Sequence, residues 1–422
     1  MVEYWKKAAV VLGLGTWSDA MDMMLLGIVS VMLIQEFRLG VYEVTMLTTA
    51  FGATAYIFLI GSLMEGLSDY VGRKRLWVLG NFVSGLGYLG CSLAHDWVQV
   101  AILRTIGFLG CWSLPLYYII MSEEMPAHKR QTIVSLARML SVLAMVNLNI
   151  LLILSASVPW ITWRFMFGYV SIVNIALACA GAIVLREPPV WLERRRLIKE
   201  GKIPKEQSVT ILTLFKKEYL KKTVIVAVGM LLMLSAGYAL GTAGFISLFQ
   251  VEHLKWDRAL IGTLGIITSL IGTLGVMPFI GFLSDKIGRS GVAILGTLIA
   301  IIGASLRWWI PAIIPETTSL LAVVMWIVLV TLATFGNQED TARVWAYENV
   351  PATARGAVGA IKTIIINPLS TGLTLLAGSL ALAYGLPVVC TIFHIVLGAV
   401  ALAFFIYARK VGLETKGKEL TE

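Results

Sequence analysis

Two carboxylates stand inside the first long apolar run of the 422-residue chain, at Asp19 and Asp22. Residues three apart lie on the same face of a helix, so the two side chains are neighbours. A charge at mid-membrane costs about 2.5–3.5 kcal/mol on insertion scales and therefore needs a partner or a wet cavity. Two close carboxylates in a low dielectric repel each other when ionised, which favours a retained proton on one of them. The pair is a candidate proton carrier. The alternatives are a structural ion pair with an arginine and an aspartate that lines a wet vestibule.

A second group of charges falls in the tenth apolar run, at Glu339, Asp340 and Arg343. Their i,i+4 and i,i+3 spacings allow them to neutralise one another. The other interpretation is a polar wall of a substrate site. Arg138 and Asn147 in the fifth run are candidates for the same cavity, although buried polar residues also hold membrane helices together.

The composition excludes most classes of soluble protein. Hydrophobic residues make up 58% of the chain, charged residues only 14%, and the mean hydropathy is +0.83. An ordinary soluble domain has about 25% charged residues, because its surface must face water. The four cysteines lie in apolar runs without metal spacing. We therefore expect no metal site, and the lack of a nucleophile–base pair or metal set argues against an enzyme.

Apolar runs long enough to cross a bilayer recur along the whole chain. One long polar segment, 187–221, divides them into six and six. The sequence predicts an all-α membrane protein with twelve transmembrane helices in two pseudo-symmetric six-helix bundles. The bundles are residues 1–186 and 222–422, the latter with a short cytoplasmic tail, and a basic cytoplasmic linker joins them. The predicted runs are 8–34, 43–67, 76–94, 97–122, 132–157, 163–186, 222–250, 259–284, 290–311, 317–347, 354–383 and 387–409.

The positive charges indicate the orientation. With a cytoplasmic N-terminus, 25 of the 34 Lys and Arg residues fall on the cytoplasmic side. The outer loops hold only Arg38, Lys255 and Arg258. The positive-inside rule then places both termini and the central linker in the cytoplasm of a cell that carries the protein in its plasma membrane. The same distribution accounts for the net charge of +9 without a nucleic-acid partner.

The two halves share short motifs in corresponding places. Residues 68–73 (SDYVGR) recur as 284–289 (SDKIGR), and the set Glu123, Pro126 and Arg130 recurs as Glu348, Pro351 and Arg355. Repeated halves of this kind are typical of transporters that hold substrate between the halves near the bilayer midplane.

These features together resemble the major facilitator superfamily, and within it the sugar porter and general substrate (metabolite:proton symporter) branch. The resemblance spans the whole chain and rests on Asp22 followed by Gly27 and on five motifs: 68–75 (SDYVGRKR), 104–110 (RTIGFLG), 187–192 (EPPVWL), 348–356 (ENVPATARG) and 414–418 (ETKGK).

The resemblance implies roles for particular residues. Arg104 would lie beside the aspartate of the first helix, and either switch with it or only neutralise it. Charged residues at the cytoplasmic helix ends would form salt bridges that hold the inner side shut and break as the halves rock: Asp69, Arg73, Glu123, Arg130, Asp285, Arg289, Glu348 and Arg355.

The expected function is secondary transport by alternating access. We expect a monomer that takes up a small polar organic solute, sugar-like or carboxylated, together with protons. The proton gradient supplies the energy and no cofactor is needed. The alternatives are a proton-coupled exporter of organic cations or drugs, and a non-transporting membrane sensor on the same fold.

Overall fold

The computed structural model describes residues 4–49, 67–68, 71–110, 116–117, 120–121, 124, 130–202, 243–336, 345 and 367–414. Two compact units divide the chain. The first contains residues 1–38 and 50–208, and the second contains residues 39–49 and 209–422.

The helices of the first unit begin and end at recognisable caps. Asp96 accepts a hydrogen bond from the Gln99 N–H at the start of α4 (Trp97–Leu109), and Thr162 accepts one from the Phe165 N–H at the start of α6 (Trp163–Val184). The described helices of this unit are α1 (Tyr4–Phe37), α3 (Arg73–Ser92), α4 (Trp97–Leu109), α5 (Arg130–Leu154), α6 (Trp163–Val184) and α7 (Pro189–Lys199).

The second unit includes α2 (Val41–Thr49), although α2 lies early in the chain. A run of π-helix, Ile271–Val276, joins α9 (Arg258–Leu270) to α10 (Met277–Ile287), and a 3₁₀ turn, Arg307–Trp309, joins α11 (Arg289–Leu306) to α12 (Ile310–Ile313). The remaining described helices are α8 (Ile246–Glu252), α9 (Arg258–Leu270), α10 (Met277–Ile287), α11 (Arg289–Leu306), α12 (Ile310–Ile313), α13 (Leu320–Thr334), α14 (Asn367–Tyr384) and α15 (Leu386–Lys410).

Each unit has its own core. In the first, α1, α3 and α6 pack together around Trp77, which is fully buried. In the second, α11 packs against α13 and α15, and the Phe249 ring contacts the rings of Trp308 and Trp326. His394 also lies in this core and accepts a hydrogen bond from the Trp308 indole N–H at 3.3 Å.

Helical structure is confirmed wherever the predicted apolar runs are described, and the bounds differ by a few residues. By length and composition, five continuous helical segments among the described residues are able to cross a membrane. These are Tyr4–Phe37, Trp163–Val184, Arg258–Ser284, Arg289–Ile313 and Leu386–Lys410. Two features of the structure were not predicted from the sequence. The polar linker begins with a helix, α7, and α2 groups with the second unit rather than the first. The predicted domain bounds themselves stay a prediction.

Candidate functional site

The aspartate pair of α1 is enclosed by protein. Asp19 and Asp22 are each 1% exposed. One oxygen of the Asp22 carboxyl group accepts a hydrogen bond from the Asn174 side-chain amide of α6, at 2.9 Å. The Tyr88 hydroxyl of α3 donates to the backbone carbonyl of Asp22 at 3.3 Å. Three helices, α1, α3 and α6, therefore meet at Asp22.

Glycines determine the register in which these helices meet. The Trp77 ring of α3 lies against Gly15 of α1, where a Cβ atom would be 2.7 Å from the ring. The same ring lies against Gly181 of α6, where a Cβ would overlap it. Because Trp77 needs both glycines, α1 and α6 cannot slide along α3 without a clash. This packing places Asn174 opposite Asp22.

One face of α3 carries the polar side chains of the site. Asn81 and Ser84 are buried on the same face as Trp77 and Tyr88. Ser84 also interacts with the Asp22 carboxyl group. Its hydroxyl donates to the Gly107 carbonyl of α4 at 2.9 Å. That contact forms because Gly87 and Gly107 bring the two backbones together, with no room for a Cβ at Gly87.

Arg104 lies on α4, one turn before Gly107, and is buried. Its guanidinium group lies 5.2 Å from the centre of the Phe108 ring, a cation–π contact. The resemblance to the family implies an ion pair between Arg104 and the helix-1 aspartate. Within the described residues, however, the Asp22 carboxyl group interacts with two neutral side chains, Asn174 and Ser84. The coupling roles of Asp19, Asp22 and Arg104 stay a prediction.

Sequence reasoning missed Asn174. The signal that could have identified it is an amide in the middle of the apolar run 163–186. An amide buried in an apolar setting without a hydrogen bond is costly, so such a residue implies a partner.

The structure describes only some of the predicted substrate-binding residues. Asn147 lies on α5 and interacts with Tyr169 of α6, a contact between helices of the same unit. Arg138 lies on the same helix, but its side chain is outside the described residues. Glu339, Asp340 and Arg343 also lie outside them.

The loop before α3 is held by a carboxylate that follows α6. Glu187 accepts hydrogen bonds from the backbone N–H groups of Arg73, Lys74 and Arg75, at 2.8, 3.1 and 3.3 Å. These are among the first N–H groups of a helix, which have no partner within the helix, and a negative charge there is stabilised by the helix dipole. Gly72 has φ of +120°, and a Cβ at this position would overlap the Glu187 carboxylate.

The second unit repeats this device. Glu414, which follows α15, accepts hydrogen bonds from the N–H groups of Arg289 and Ser290, each at 2.9 Å, and from the Ser290 hydroxyl. Gly288 has φ of +89°, and a Cβ there would be 2.6 Å from the Glu414 carboxylate. In each unit, therefore, one partly buried carboxylate ties the start of the third helix to the end of the sixth, counted by the predicted twelve.

Of the eight predicted gate residues, the structure describes the side chains of two. Arg73 is buried, and Arg289 donates to the Ser284 carbonyl at 3.2 Å. Arg130 and Asp285 are described by backbone only, as helical. Asp69, Glu123, Glu348 and Arg355 lie outside the described residues. The prediction did not name Glu187 and Glu414 as gate residues, although both begin motifs that carried the resemblance.

A third carboxylate lies at the same end of the first unit. The Glu124 side chain is 2% exposed and contacts the Arg186 guanidinium at 3.4 Å. Arg186 also stacks on the Tyr4 ring, with 3.8 Å between its Cζ and the ring centre. Burial raises the pKa of Glu124, and the nearby positive charge of Arg186 opposes that rise. In the described part of the chain, no cluster of His, Cys, Asp and Glu is arranged to hold a metal ion.

Comparison with known proteins identifies the family. A profile of the Major Facilitator Superfamily matches residues 12–370. No curated protein matches the chain at a significant level.

Several solved structures share the fold over nearly their whole length. A bacterial homologue of the human lysosomal transporter Spinster is 18% identical with a TM-score of 0.71, covering 98% of each chain. The inward-open xylose transporter XylE from E. coli is 20% identical with a TM-score of 0.66, covering 98% of this chain and 97% of its own. The nucleoside transporter NupG, solved as a point mutant, is 15% identical with a TM-score of 0.73, covering 96% of this chain and 100% of its own.

Proposed function

The chain belongs to the major facilitator superfamily, and from this premise we propose that it is a proton-coupled symporter of a small polar organic solute, sugar-like or carboxylated. Family and structural neighbours are transporters, so the chain is a membrane transporter and not an enzyme. The proposed part is the coupling, the direction and the class of solute. A protein described as a D-xylose–proton symporter shares the fold at 19% identity, which is consistent with the proposal.

The observation that carries the proposal is the enclosed Asp22 carboxyl group with its neutral partner. A neutral amide does not compensate the charge of a buried carboxylate, so the ionised form is costly to bury. The protonated carboxylic acid has no charge and avoids this cost. Asn174 suits both forms, because its N–H₂ donates to a carboxylate and its carbonyl accepts from a carboxylic acid. Proton binding at Asp22 then changes which packing of α1 against α3 and α6 is favoured.

Proton binding can drive transport when it shifts the equilibrium between the two conformations of the protein. A ligand shifts a conformational equilibrium only by its different affinity for the two states. Asp22 on α1 faces α3 and α6, and Trp77 and its glycines hold the three helices in register, so a change in helix packing alters the surroundings of the carboxyl group. We assign Asn174 a positioning role and Asp22 the proton-binding role, with Asp19 and Arg104 as the charged residues that complete the site.

The carboxylate caps at Glu187 and Glu414 support alternating access. Each keeps one unit internally rigid at the end that carries the predicted gate residues, and transporters of this design move such units largely as rigid bodies. We place that end, both termini and the linker in the cytoplasm, as the charge distribution predicts. An impermeant thiol reagent applied to intact cells should fail to label a cysteine placed at Lys202, and ready labelling would contradict the orientation.

The test of the proposal begins with a solute. A thermal-shift screen of the purified protein against sugars, carboxylic acids, amino acids and organic cations finds the compound that stabilises the folded state. That compound is then used in proteoliposomes, in one assay with an imposed pH gradient and in another with equal solute on both sides.

We expect Asp22→Asn to abolish accumulation driven by the pH gradient and to retain counterflow exchange, because the amide cannot exchange a proton. Asn174→Leu should retain counterflow and move the pH dependence of uptake to higher pH, since the ionised carboxylate loses its donor. Asp96→Asn is the matched control, because asparagine caps α4 as well as aspartate does.

Continued accumulation by Asp22→Asn in response to the pH gradient would refute the coupling role. A screen in which only organic cations stabilise the protein, with proton movement opposite to that of the solute, would favour the exporter instead.

A further inference from the structure

A groove opens on the outer surface of α3, on the side away from the aspartate site. It has a volume of about 590 Å³. It runs between α3 and the end of α6, close to the cap at Glu187. The residues that line it are Lys74, Arg75, Val78, Leu79, Phe82, Ala182 and Glu187.

The upper wall of the groove is apolar. Leu79 and Phe82 are 47% and 42% exposed, and their spacing of i,i+3 places them on one face of α3. Trp77, Asn81 and Ser84 point to the protein interior instead, where they are buried. α3 contains most of the predicted span 76–94, and an exposed leucine and phenylalanine on the outer face of such a span would contact lipid acyl chains.

The lower rim of the groove is basic. The Lys74 ammonium donates one hydrogen bond to the Ala182 carbonyl at 2.8 Å, which holds it at the mouth of the groove with two N–H groups left. The Arg75 side chain is exposed beside it. Glu187 directs its carboxylate to the backbone N–H groups at the start of α3, so that helix end has no donor to offer a ligand.

We propose that this groove binds one anionic glycerophospholipid, with its phosphate at Lys74 and Arg75 and an acyl chain along Leu79 and Phe82. The lining carries two positive charges and one negative charge, a net charge of +1 that complements a phosphodiester. From Lys74 to Phe82 the helix rises about 12 Å, which spans the glycerol and the first part of an acyl chain. Basic pockets beside membrane helices at the cytoplasmic surface are suited to such headgroups. The assignment of this lipid to the cytoplasmic leaflet depends on the proposed orientation of the protein, which is part of the proposed function, whereas the binding of the lipid does not.

The test measures binding without transport, so its outcome is independent of the proposed coupling. Purified protein in detergent is titrated with dioleoyl phosphatidylglycerol and, separately, with dioleoyl phosphatidylcholine, and lipid adducts are counted by native mass spectrometry. The test variant is Lys74→Gln/Arg75→Gln. The matched control is Arg409→Gln/Lys410→Gln, which removes two adjacent exposed cations at the end of α15.

We expect one tight phosphatidylglycerol adduct with weaker phosphatidylcholine binding. The double variant at the groove should weaken that adduct about tenfold or more, and the control pair less than about twofold. Phe82→Ala should also weaken it, because the acyl chain loses its contact. Arg75→Gln alone changes only an exposed side chain and serves as the variant that keeps the fold.

Three results would overturn the proposal. The first is equal binding of both lipids. The second is an equal loss in both double variants, which would indicate diffuse attraction by the whole basic surface. The third is displacement of the lipid by excess inorganic phosphate with no effect of Phe82→Ala, which would indicate a phosphate site rather than a lipid site.

Discussion

The carboxylate cap at the start of α3 leads to a quantitative prediction. Glu187→Ala removes the acceptor for the N–H groups of Arg73, Lys74 and Arg75, which lie 2.8–3.3 Å from its oxygens. A hydrogen bond to a charged group contributes about 1.5–3 kcal/mol, and the helix dipole adds about 0.3–1 kcal/mol. The three bonds share one carboxylate and water replaces part of the loss, so their contributions do not add.

We therefore expect the first turn of α3 to open more easily by about 2–3 kcal/mol in Glu187→Ala, which corresponds to about 30- to 150-fold faster amide exchange. Glu187→Gln keeps an oxygen acceptor but loses the charge, so its effect should be about 3- to 10-fold. Hydrogen–deuterium exchange of peptides spanning residues 71–79 measures this local opening directly.

Glu193→Ala is the control, since Glu193 is a half-exposed glutamate on α7 whose partner is Arg196. It should leave exchange at residues 71–79 unchanged. Exchange that is within about twofold of the wild type in Glu187→Ala would refute the cap. An equal increase for the alanine and glutamine variants would show that the charge contributes nothing.

Three further outcomes follow from the same structure. Glu414→Ala should speed exchange at the start of α11 as Glu187→Ala does at α3, and unchanged exchange there would contradict the repeated cap. Gly288→Ala should lower the melting temperature more than Gly412→Ala does. Both have positive φ, at +89° and +77°, which costs about 1–2 kcal/mol with a Cβ, but only at Gly288 would the Cβ meet a carboxylate; equal losses would exclude the clash. Because burial raises the pKa of Glu124, the native state holds its proton more tightly than the unfolded state does. Its contribution is therefore most favourable below the ordinary glutamate pKa and is lost as pH rises through the raised value. Glu124→Gln should gain thermal stability relative to the wild type as pH rises over that window, and a constant difference would refute the argument.

The pseudo-symmetry of the protein is visible at two levels. The sequence repeats the motifs before the third and ninth predicted helices, and the structure adds the glutamates that cap them. Both glutamates lie just after the last helix of their half, so a search of the sequence for a carboxylate at that place would have found them. Their function could not be read from the sequence, because the capped N–H groups lie more than a hundred residues away in the chain.

The linker shows a limit of hydropathy patterns. Residues 187–221 are polar and basic, which predicts a solvated connection, yet α7 occupies Pro189–Lys199. Proline at the first helical position and the pairing of Glu193 and Arg196 along the helix favour a short surface helix, on which Trp191 is buried. The many charged residues keep the hydropathy of the segment low, which hides so short a helix from a search for long apolar runs.

The sequence by itself determined the class of protein, the helical spans and the presence of an aspartate pair in the first of them. These properties are local or compositional: bilayer thickness requires long apolar runs, and a carboxylate inside such a run is costly enough to signal a function. Only the tertiary structure decided that Asn174 is the hydrogen-bond partner of Asp22. That choice depends on the register of three helices around Trp77, and this register depends on glycines at positions 15 and 181, which have no side chain to occupy the space of the ring. Helix registry is set by contacts between residues far apart in the chain, and one sequence contains no direct record of those contacts.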